Sequence, residues 1–380
     1  MTDRPCRTGP LGAAVRRIAA TLVLAVLMPA VASGGDVFQV TGVDVDVTAE
    51  TAAAARKQAL RQGEAQAFRR LLERLTLRVD HRALPKLGVS DIESYVKDFS
   101  VEQEKTSAVR YLASLNVRFK PEEMRRLLIE YGLPFAETPS KPVLVLPVYQ
   151  ATAALFLWDD PNPWFESWQR LPAADGLVPM LMPLGDLADI AAIGAEQAID
   201  GDIQRLDAIG QRYGTGDTLV ARAILGVEPG KGTPRIDVYV TRYGSNPTQE
   251  TTVSAFVAEV GESRQALLDR AAAEVVRQIE DAWKEATVLS FDEIAILAVI
   301  VPIDGLAAWL TVRRRLNAVA TVRKIDLVLL SRDEARINLH YIGAPEQLVL
   351  ALEQTDLVLY EEAGSWYLEP AGATAAARDS

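Results

Sequence analysis

Reactive residue types are scarce in this 380-residue sequence. It contains one cysteine, Cys6, and two histidines, His81 and His340, which lie far apart along the chain. Histidines so far apart predict no histidine-based zinc site, and no Gly-x-Ser-x-Gly nucleophile motif occurs. These absences exclude most metal-dependent and nucleophilic enzyme chemistries. We therefore predict a protein that has no cofactor and no metal and is not an enzyme.

The amino terminus has the pattern of an export signal. An apolar core from Ile18 to Val31 follows four arginines and ends in the small-residue site Ala30-Val31-Ala32. This core is shorter than the roughly 20 residues that cross a bilayer. We predict a signal peptide over residues 1–32 and a periplasmic location. The alternative is a leader that is retained as an amino-terminal anchor.

The charge of the chain is strongly acidic. Removal of the predicted leader takes away four arginines, Asp3 and Cys6, leaving 36 basic and 50 acidic side chains and a formal charge of −14. Such a charge argues against nucleic acid or anionic lipid as a partner. Without cysteine the mature chain has no disulfide and no thiol ligand. Its stability must come from apolar cores, which its length permits.

The order of the predicted strands and helices indicates a multi-domain protein of the α/β and α+β classes. An apolar strand, Lys141 to Tyr149, follows a proline-bounded joint and opens the middle of the chain. The predicted divisions are an α+β module at 36–139, a central mixed α/β module at 141–290, a ferredoxin-like βαββαβ module at 291–370 and a disordered tail at 371–380.

In the first module, Val43, Val45 and Val47 alternate with aspartates, which predicts a strand with one wet face. A long helix follows, with Thr48 as its expected N-cap. Ser90 with Glu93 predicts a capping box for a short helix ending near Phe99. A second strand is expected around Tyr111 to Phe119, and a third helix between Pro121 and Gly132.

The run Tyr111 to Pro147, YLASLNVRFKPEEMRRLLIEYGLPFAETPSKPVLVLP, carries a family resemblance. It resembles the exported proteobacterial proteins of the domain of unknown function 2066 family, although Lys141 replaces that family's arginine. The segment Val178 to Asp189, VPMLMPLGDLAD, is similar to a second motif of the family. The resemblance implies an exported protein and no activity. In outline, the central module is also similar to the amino-terminal domain of the periplasmic protein TolB, which is an analogy of fold alone.

The stretch Ile294 to Leu310 is almost entirely apolar and precedes three arginines, a pattern that imitates a membrane span. Pro302, Asp304 and Gly305 interrupt it where a strand would turn into a helix. We predict a buried strand followed by a helix, and no integral span in the mature chain. The ferredoxin-like module is not expected to bind RNA because its strand RINLHY lacks stacking aromatics.

The aromatic segment Phe156 to Trp168, FLWDDPNPWFESW, holds three of the six tryptophans. Trp164 and Trp168 are four residues apart, so on a helix they are expected to face the sheet. The functional alternative is a surface for a partner or a glycan, because indoles give a large contact area. Its candidate contacts are Trp158, which we expect to be exposed, together with Trp164, Phe165 and Trp168.

Two further motifs have ordinary structural interpretations. The glycine-rich stretch GVEPGKGT at 226–233 lies between two strands and lacks the helix of a phosphate loop, so we predict a hairpin turn. Asp186 and Asp189 lie at an expected helix start, where carboxylates favour the helix dipole. A carboxylate pair for hydrolysis is the alternative.

These observations lead to two functional hypotheses. The first is a non-enzymatic periplasmic scaffold that binds an envelope protein; its partner and its oligomeric state are left open. The second is a glycan (peptidoglycan) binder or hydrolase that uses the aromatic segment with Asp159, Asp160 and Glu166.

Overall fold

The computed structural model describes residues 36–152, 154–172, 175–244, 251–289 and 294–372. The predicted leader and the last eight residues of the predicted tail lie outside the described residues. Three β-sheets with helices packed on them make this part of the chain a mixed α/β protein of multi-domain character, as the sequence predicts. The exact module boundaries remain predictions.

The first sheet is antiparallel and has the strand order β1-β3-β2. Its covered face joins Val43, Val45 and Val47 with Leu71 and Leu72 of the long helix in one core, because alternate strand residues point to the same side. The elements are β1 Gln39–Thr48, α1 Ala52–Leu75, a 3-10 helix Arg78–Arg82, α2 Val89–Tyr95, β2 Val96–Thr106, β3 Arg110–Phe119 and α3 Pro121–Glu130.

The expected N-cap of α1 was wrong by three residues. Thr48 continues β1 and pairs with Arg110 of β3, so it cannot end the strand. The cap is Thr51, whose hydroxyl accepts a hydrogen bond from the Ala54 amide at 3.1 Å. Tertiary pairing therefore extends the strand beyond the first residue that could cap the helix.

The capping box expected at Ser90 and Glu93 does not form, because α2 begins two residues earlier with Gly88 as its N-cap. The sequence interpretation also missed β2, placing helix up to Phe99 and nothing after it. Eight of the eleven residues of β2 pair with residues of β3, yet most of its side chains are charged or exposed. Its backbone hydrogen bonds to β3, and not an apolar pattern, make it a strand.

The central sheet has the order β5-β4-β7-β8-β9, and β6 also pairs with β4. β4 runs parallel to β6 and β7, whereas β5, β8 and β9 pair antiparallel to their neighbours. Its described elements are β4 Val143–Ala151, β5 Ala154–Phe156, α4 Pro163–Gln169, β6 Met180–Leu181, α5 Leu187–Ala192, α6 Ala195–Asp200, α7 Ile203–Tyr213, β7 Asp217–Val227, β8 Pro234–Tyr243, β9 Thr251–Val257 and α8 Arg264–Thr287.

Both faces of β4 are covered, which explains its uninterrupted apolar sequence. Val143 and Val145 belong to the core that contains α4 and α8. Leu144 and Leu146 belong to the core that contains α6 and α7. The predicted strand at Lys141 to Tyr149 is therefore confirmed as the centre of a three-layer arrangement, shifted by two residues.

Two central elements are short. Residues 187–200 form two helices, α5 and α6, because Ile193 is extended and Gly194 begins a new helix. Strand β6 has only two residues, Met180 and Leu181, since only these pair with β4.

The third sheet has the order β11-β12-β10-β14-β13. Its elements follow the predicted order, but the topology is not the simple ferredoxin-like one. The short last strand expected at 366–368 is a full strand that runs parallel to β10 and separates it from β13. The elements are β10 Ile294–Pro302, α9 Leu306–Leu316, β11 Val322–Leu330, β12 Glu334–Ile342, α10 Pro345–Glu353, β13 Leu357–Glu362 and β14 Ser365–Pro370.

The apolar stretch Ile294 to Leu310 is thus a strand, a turn at Gly305 and the start of a helix, as predicted, but the strand is buried on one face only and not on both. Among the described residues, every helix is too short or too polar to cross a bilayer.

The first and central modules are joined by buried polar contacts. At the end of α8, the Trp283 indole donates to the Thr138 carbonyl at 2.8 Å. The Lys284 ammonium donates to the carbonyls of Glu73, at 2.8 Å, and Thr76, at 3.0 Å, both at the end of α1. Burial lowers the pKa of Lys284. The last turns of α8 therefore belong to the first module as much as to the central one.

Candidate partner-binding surface

Trp164 and Trp168 lie in the core and not on the surface. Both indoles are buried on α4, and their rings meet edge to face at 5.8 Å and 87°. The Trp164 indole donates to the Ala221 carbonyl of β7 at 2.8 Å. The alternative in which Trp164 and Trp168 contact a partner or glycan is therefore wrong, because helical spacing directs both residues into the sheet.

Trp158 and Phe165 are half-buried and touch each other edge to face, with 6.5 Å between ring centroids. The expected exposure of Trp158 is wrong in part, because its indole donates to the Ile193 carbonyl at 2.7 Å. Gly185 lies against the same ring in the left-handed conformation, with φ of 71°. The Trp158 ring of the aromatic segment therefore packs against the loop before α5.

A buried carboxylate fixes that loop. Asp189 is fully buried, and its Oδ2 accepts from the Gly185 amide at 2.9 Å and the Tyr213 hydroxyl at 2.6 Å. Its Oδ1 accepts from the Arg212 Nε at 2.9 Å. Burial and this hydrogen bond raise the pKa of Tyr213, which keeps its hydroxyl a donor. Both carboxylate oxygens of Asp189 thus accept hydrogen bonds, and the bond from Gly185 fixes the loop backbone.

Asp186 has the capping role that the sequence predicts. Its Oδ1 accepts from the amides of Ala188 and Asp189, each at 2.9 Å, and its Oδ2 accepts from Arg212 at 2.6 Å. These backbone and arginine contacts lower the pKa of Asp186, so it is ionised at neutral pH. The two carboxylates serve the loop and α5 as structural acceptors.

Three large aliphatic side chains close in sequence to Asp186 and Asp189 are exposed to solvent. Leu184 is 78% exposed, Leu187 is 85% exposed and Ile190 is 48% exposed. Leu187 and Ile190 are three residues apart on α5 and so share a face. We call Leu184, Leu187 and Ile190 the α5 surface. Exposed aliphatic groups on a rigidly anchored loop and helix are typical of a contact for another protein.

Acidic groups lie beside the α5 surface. Asp159 and Asp160 are exposed and follow Trp158, whose ring contacts Gly185 next to Leu184. Within the described part of the chain, neither aspartate forms an ion pair or side-chain hydrogen bond. A partner that binds the α5 surface would therefore contact aliphatic side chains, with the unpaired carboxylates of Asp159 and Asp160 to one side.

Other candidate positions are accounted for by the fold. The stretch 226–233 is the turn between β7 and β8, which pair up to Val227 and Pro234, as predicted. His340 lies on β12 and contacts Asp326 at 2.9 Å. His81 lies in the 3-10 helix. Across the described ranges, no three His, Cys, Asp or Glu side chains form a group that could hold a metal ion.

A cleft of about 500 Å³ lies between the first and third modules, and its buried carboxylate is already paired. The buried Glu137 carboxylate accepts from Arg125 at 2.7 Å and from Arg323 at 3.2 Å. Arg125 also binds Glu122 and lies over the Phe38 ring. This cluster connects modules and leaves its buried carboxylate no role in binding a ligand.

The sequence interpretation missed the α5 surface, because it treated 178–189 as a packing motif. A signal was present. Leu184 and Leu187 flank the Gly185-Asp186 turn, and leucines beside an N-cap have no preceding turn of helix to cover them.

One family matches the sequence. It is described as Domain of unknown function (DUF8605), and its model matches residues 38–137. This finding overturns the resemblance to the domain of unknown function 2066 family, whose shared residues are packing and turn positions that many folds require. The match covers the first module, and the α5 surface lies outside it.

No curated protein matches the sequence. Two solved structures resemble part of the fold. Lipoprotein GNA1162 from Neisseria meningitidis has 15% identity and a TM-score of 0.24, over 37% of this chain and 96% of its own. Protein XCC0632 from Xanthomonas campestris, of the DUF330 family, has 9% identity and a TM-score of 0.17, over 39% of this chain and 83% of its own. At TM-scores this low, neither likeness bears on the function of this chain.

Proposed function

We propose that this chain is a non-enzymatic periplasmic protein that binds a partner protein of the cell envelope through the α5 surface. The observation that carries the proposal is the combination of Leu184, Leu187 and Ile190, all exposed, with the buried Asp189 network that fixes them. Asp189 accepts three hydrogen bonds, from the Gly185 amide, Arg212 and Tyr213, and so holds the loop in place before a partner binds. Little conformational entropy is then lost on association.

The chemistry of the surface specifies the partner. Aliphatic side chains at the centre favour a partner segment with aliphatic groups of its own, because removing apolar area from water drives association. The free carboxylates of Asp159 and Asp160 favour lysine or arginine at one side of that segment. We infer a basic, amphipathic segment of an envelope protein.

Site-specific crosslinking in cells tests the proposal. A photoreactive residue at position 187 of the full chain is expected to form one discrete adduct with another envelope protein. Position 260, whose valine is also exposed but lies in the turn before α8, is the matched control and is expected to form none. Absence of an adduct at 187, or equal adducts at both positions, would overturn the proposal.

Variants then identify the contact chemistry. Leu187→Lys is expected to weaken capture of the crosslinked partner at least tenfold, whereas Val260→Lys leaves it unchanged. Asp159→Asn with Asp160→Asn is expected to weaken capture by a smaller factor and to reduce its dependence on salt, because the screened charges are removed. Equal salt dependence before and after this change would contradict a basic partner.

The glycan alternative makes a different prediction in the same region. In that alternative the glycan would contact the half-buried indole of Trp158 and the exposed carboxylates of Asp159 and Asp160. Peptidoglycan fragments that change the tryptophan fluorescence of the full chain, and compete with the adduct at position 187, would favour this alternative over a protein partner.

A further inference from the structure

The open face of the third sheet is apolar at its central strand. Side chains on one side of β10, such as Val299 and Val301, are buried against Trp309 of α9. On the other side, Ile294 is 64% exposed and Ile296 is 62% exposed. A strand with one face in water normally alternates apolar with polar residues. β10 is aliphatic on both sides although helices cover only one.

The apolar face continues across the neighbouring strands. Ile300, on the same side as Ile296, lies beside Tyr367 of β14 in the parallel register. Tyr367 in turn pairs with Tyr360 of β13, and the two rings stack at 5.6 Å and 16°. A strip of aliphatic and aromatic side chains therefore crosses β10, β14 and β13 on the side away from α9 and α10.

Most charges on this face are paired within it. Asp326 accepts from Lys324 at 3.0 Å and contacts His340 at 2.9 Å. Arg336 binds Glu334 at 2.9 Å. Glu369 accepts from the neutral Tyr360 hydroxyl at 2.7 Å and keeps its charge. The face thus carries little net charge for a strongly charged partner to recognise. Two copies of it can approach without the repulsion expected between other surfaces of a chain with charge −11.

The size of the face suits a contact between two copies. Three strands of nine residues and two of six, spaced about 4.8 Å apart and rising about 3.3 Å per residue, cover roughly 600 Å². This area is of the same order as the about 800 Å² per partner of a standard protein interface. In a twofold contact the apolar strip of one copy meets the same strip of the other, as an isologous interface requires.

We propose that the open face of the third sheet, centred on Ile294 and Ile296, is the interface of a homodimer. The first module covers the corner of this face at Ile342, which belongs to the first core. The second copy covers the remainder. This inference is independent of the proposed envelope partner, because the α5 surface lies on the central module.

Sedimentation of the full chain over a concentration series tests the inference. The native chain is expected to sediment with twice the mass of one chain. Ile294→Lys with Ile296→Lys is expected to raise the dimer dissociation constant at least tenfold, since it places four charges in a dry contact. Val253→Lys, at an exposed position of β9, is the matched control and is expected to leave the constant unchanged. Ile296→Leu should also retain the dimer.

A crosslink locates the interface. A photoreactive residue at position 296, in a mixture of isotopically light and heavy chains, is expected to give light–heavy peptide pairs from residues 294–300 and 358–369. A native chain that remains monomeric at all concentrations would overturn the inference. So would a double-lysine variant that dimerises like the native chain, or crosslinks from position 296 that reach only other proteins.

Discussion

The first and third sheets each have one face packed on helices and one open face, but their open faces differ in chemistry. On the first sheet, Asp46 pairs with Arg110 and Asp98 pairs with Arg118 across neighbouring strands. On the third sheet, the equivalent central positions are Ile294 and Ile296. Exposed ion pairs add little stability but keep a surface hydrated. The first open face therefore presents paired charges to water, whereas the third presents isoleucines.

When one face of a sheet is packed on helices, the side chains of its other face are free to serve a different function. Val43, Val45 and Val47 of β1 pack on the helices of the first core, and the aspartates between them are expected to oppose association. β10 has the same buried alternation, so its additional isoleucines are not needed for its own core. Substitutions in the two sheets test this difference.

The largest effects are expected on the covered faces, where the two sheets are alike. Leu115→Ala in β3 and Leu339→Ala in β12 each remove a buried side chain from a separate core. Each is expected to lower the free energy of unfolding by about 2–5 kcal/mol through lost burial and a cavity. Denaturant midpoints measure this loss, and a loss below about 1 kcal/mol in either variant would show that its sheet is poorly packed.

A second change would give the first sheet the character of the third. Asp44→Ile with Asp46→Ile, made in the chain that already carries Ile294→Lys and Ile296→Lys, places aliphatic residues on the open face of β1. Self-association is expected to return with a dissociation constant at least several-fold lower than that of the lysine parent. Sedimentation measures it, and Asp44→Asn with Asp46→Asn is the control that should remain monomeric. If the variant with Asp44→Ile and Asp46→Ile does not associate, the proposed role of these aspartates in preventing association is wrong.

A smaller effect is expected at Ile296 itself. Ile296→Ala removes an exposed side chain, so the free energy of unfolding, measured under conditions where the chain is monomeric, should change by less than about 0.5 kcal/mol. A large loss of stability under those conditions would mean that this face is covered within one chain. Dimer dissociation measured on the same variant should still be faster than in the native chain.

The smallest effect is a dependence of the first sheet on pH. Hydrogen bonds from Arg110 and Arg118 lower the pKa of Asp46 and Asp98 below the ordinary 3.8. A lowered folded-state pKa stabilises the fold above the unfolded value, and this contribution is lost as pH falls from about 4 through the folded-state pKa. The stability difference between the native chain and Asp46→Asn with Asp98→Asn should therefore shrink as pH falls through this range. A difference that grows on acidification would contradict the assignment.

Much of the fold was predictable from periodicity. Alternating valines identified β1, uninterrupted apolar residues identified β4, and Pro121 with Gly132 bounded α3. β2 was not predictable in this way, because its charged sequence becomes a strand only when β3 supplies hydrogen bonds. The position of β14 between β10 and β13 likewise depends on pairing between strands distant in sequence.

The candidate site was less predictable than the fold. Tryptophan density drew the sequence interpretation to 156–168, where Trp164 and Trp168 proved to be core residues. Leu184 and Leu187 have no unusual spacing, and their exposure depends on Asp189, Arg212 and Tyr213 holding a loop in place. A network between residues more than twenty positions apart leaves no local pattern.

The end of α8 has a consequence for how the modules can be exchanged between proteins. The Lys284 ammonium satisfies the Glu73 and Thr76 carbonyls of the first module, and the Trp283 indole satisfies Thr138. A buried carbonyl without a donor costs about 1–3 kcal/mol. A chain that inherited only the 38–137 segment would need new donors at the end of α1. Recombination of this module with another neighbour should therefore succeed best when the neighbour contributes a helix with a lysine at that position.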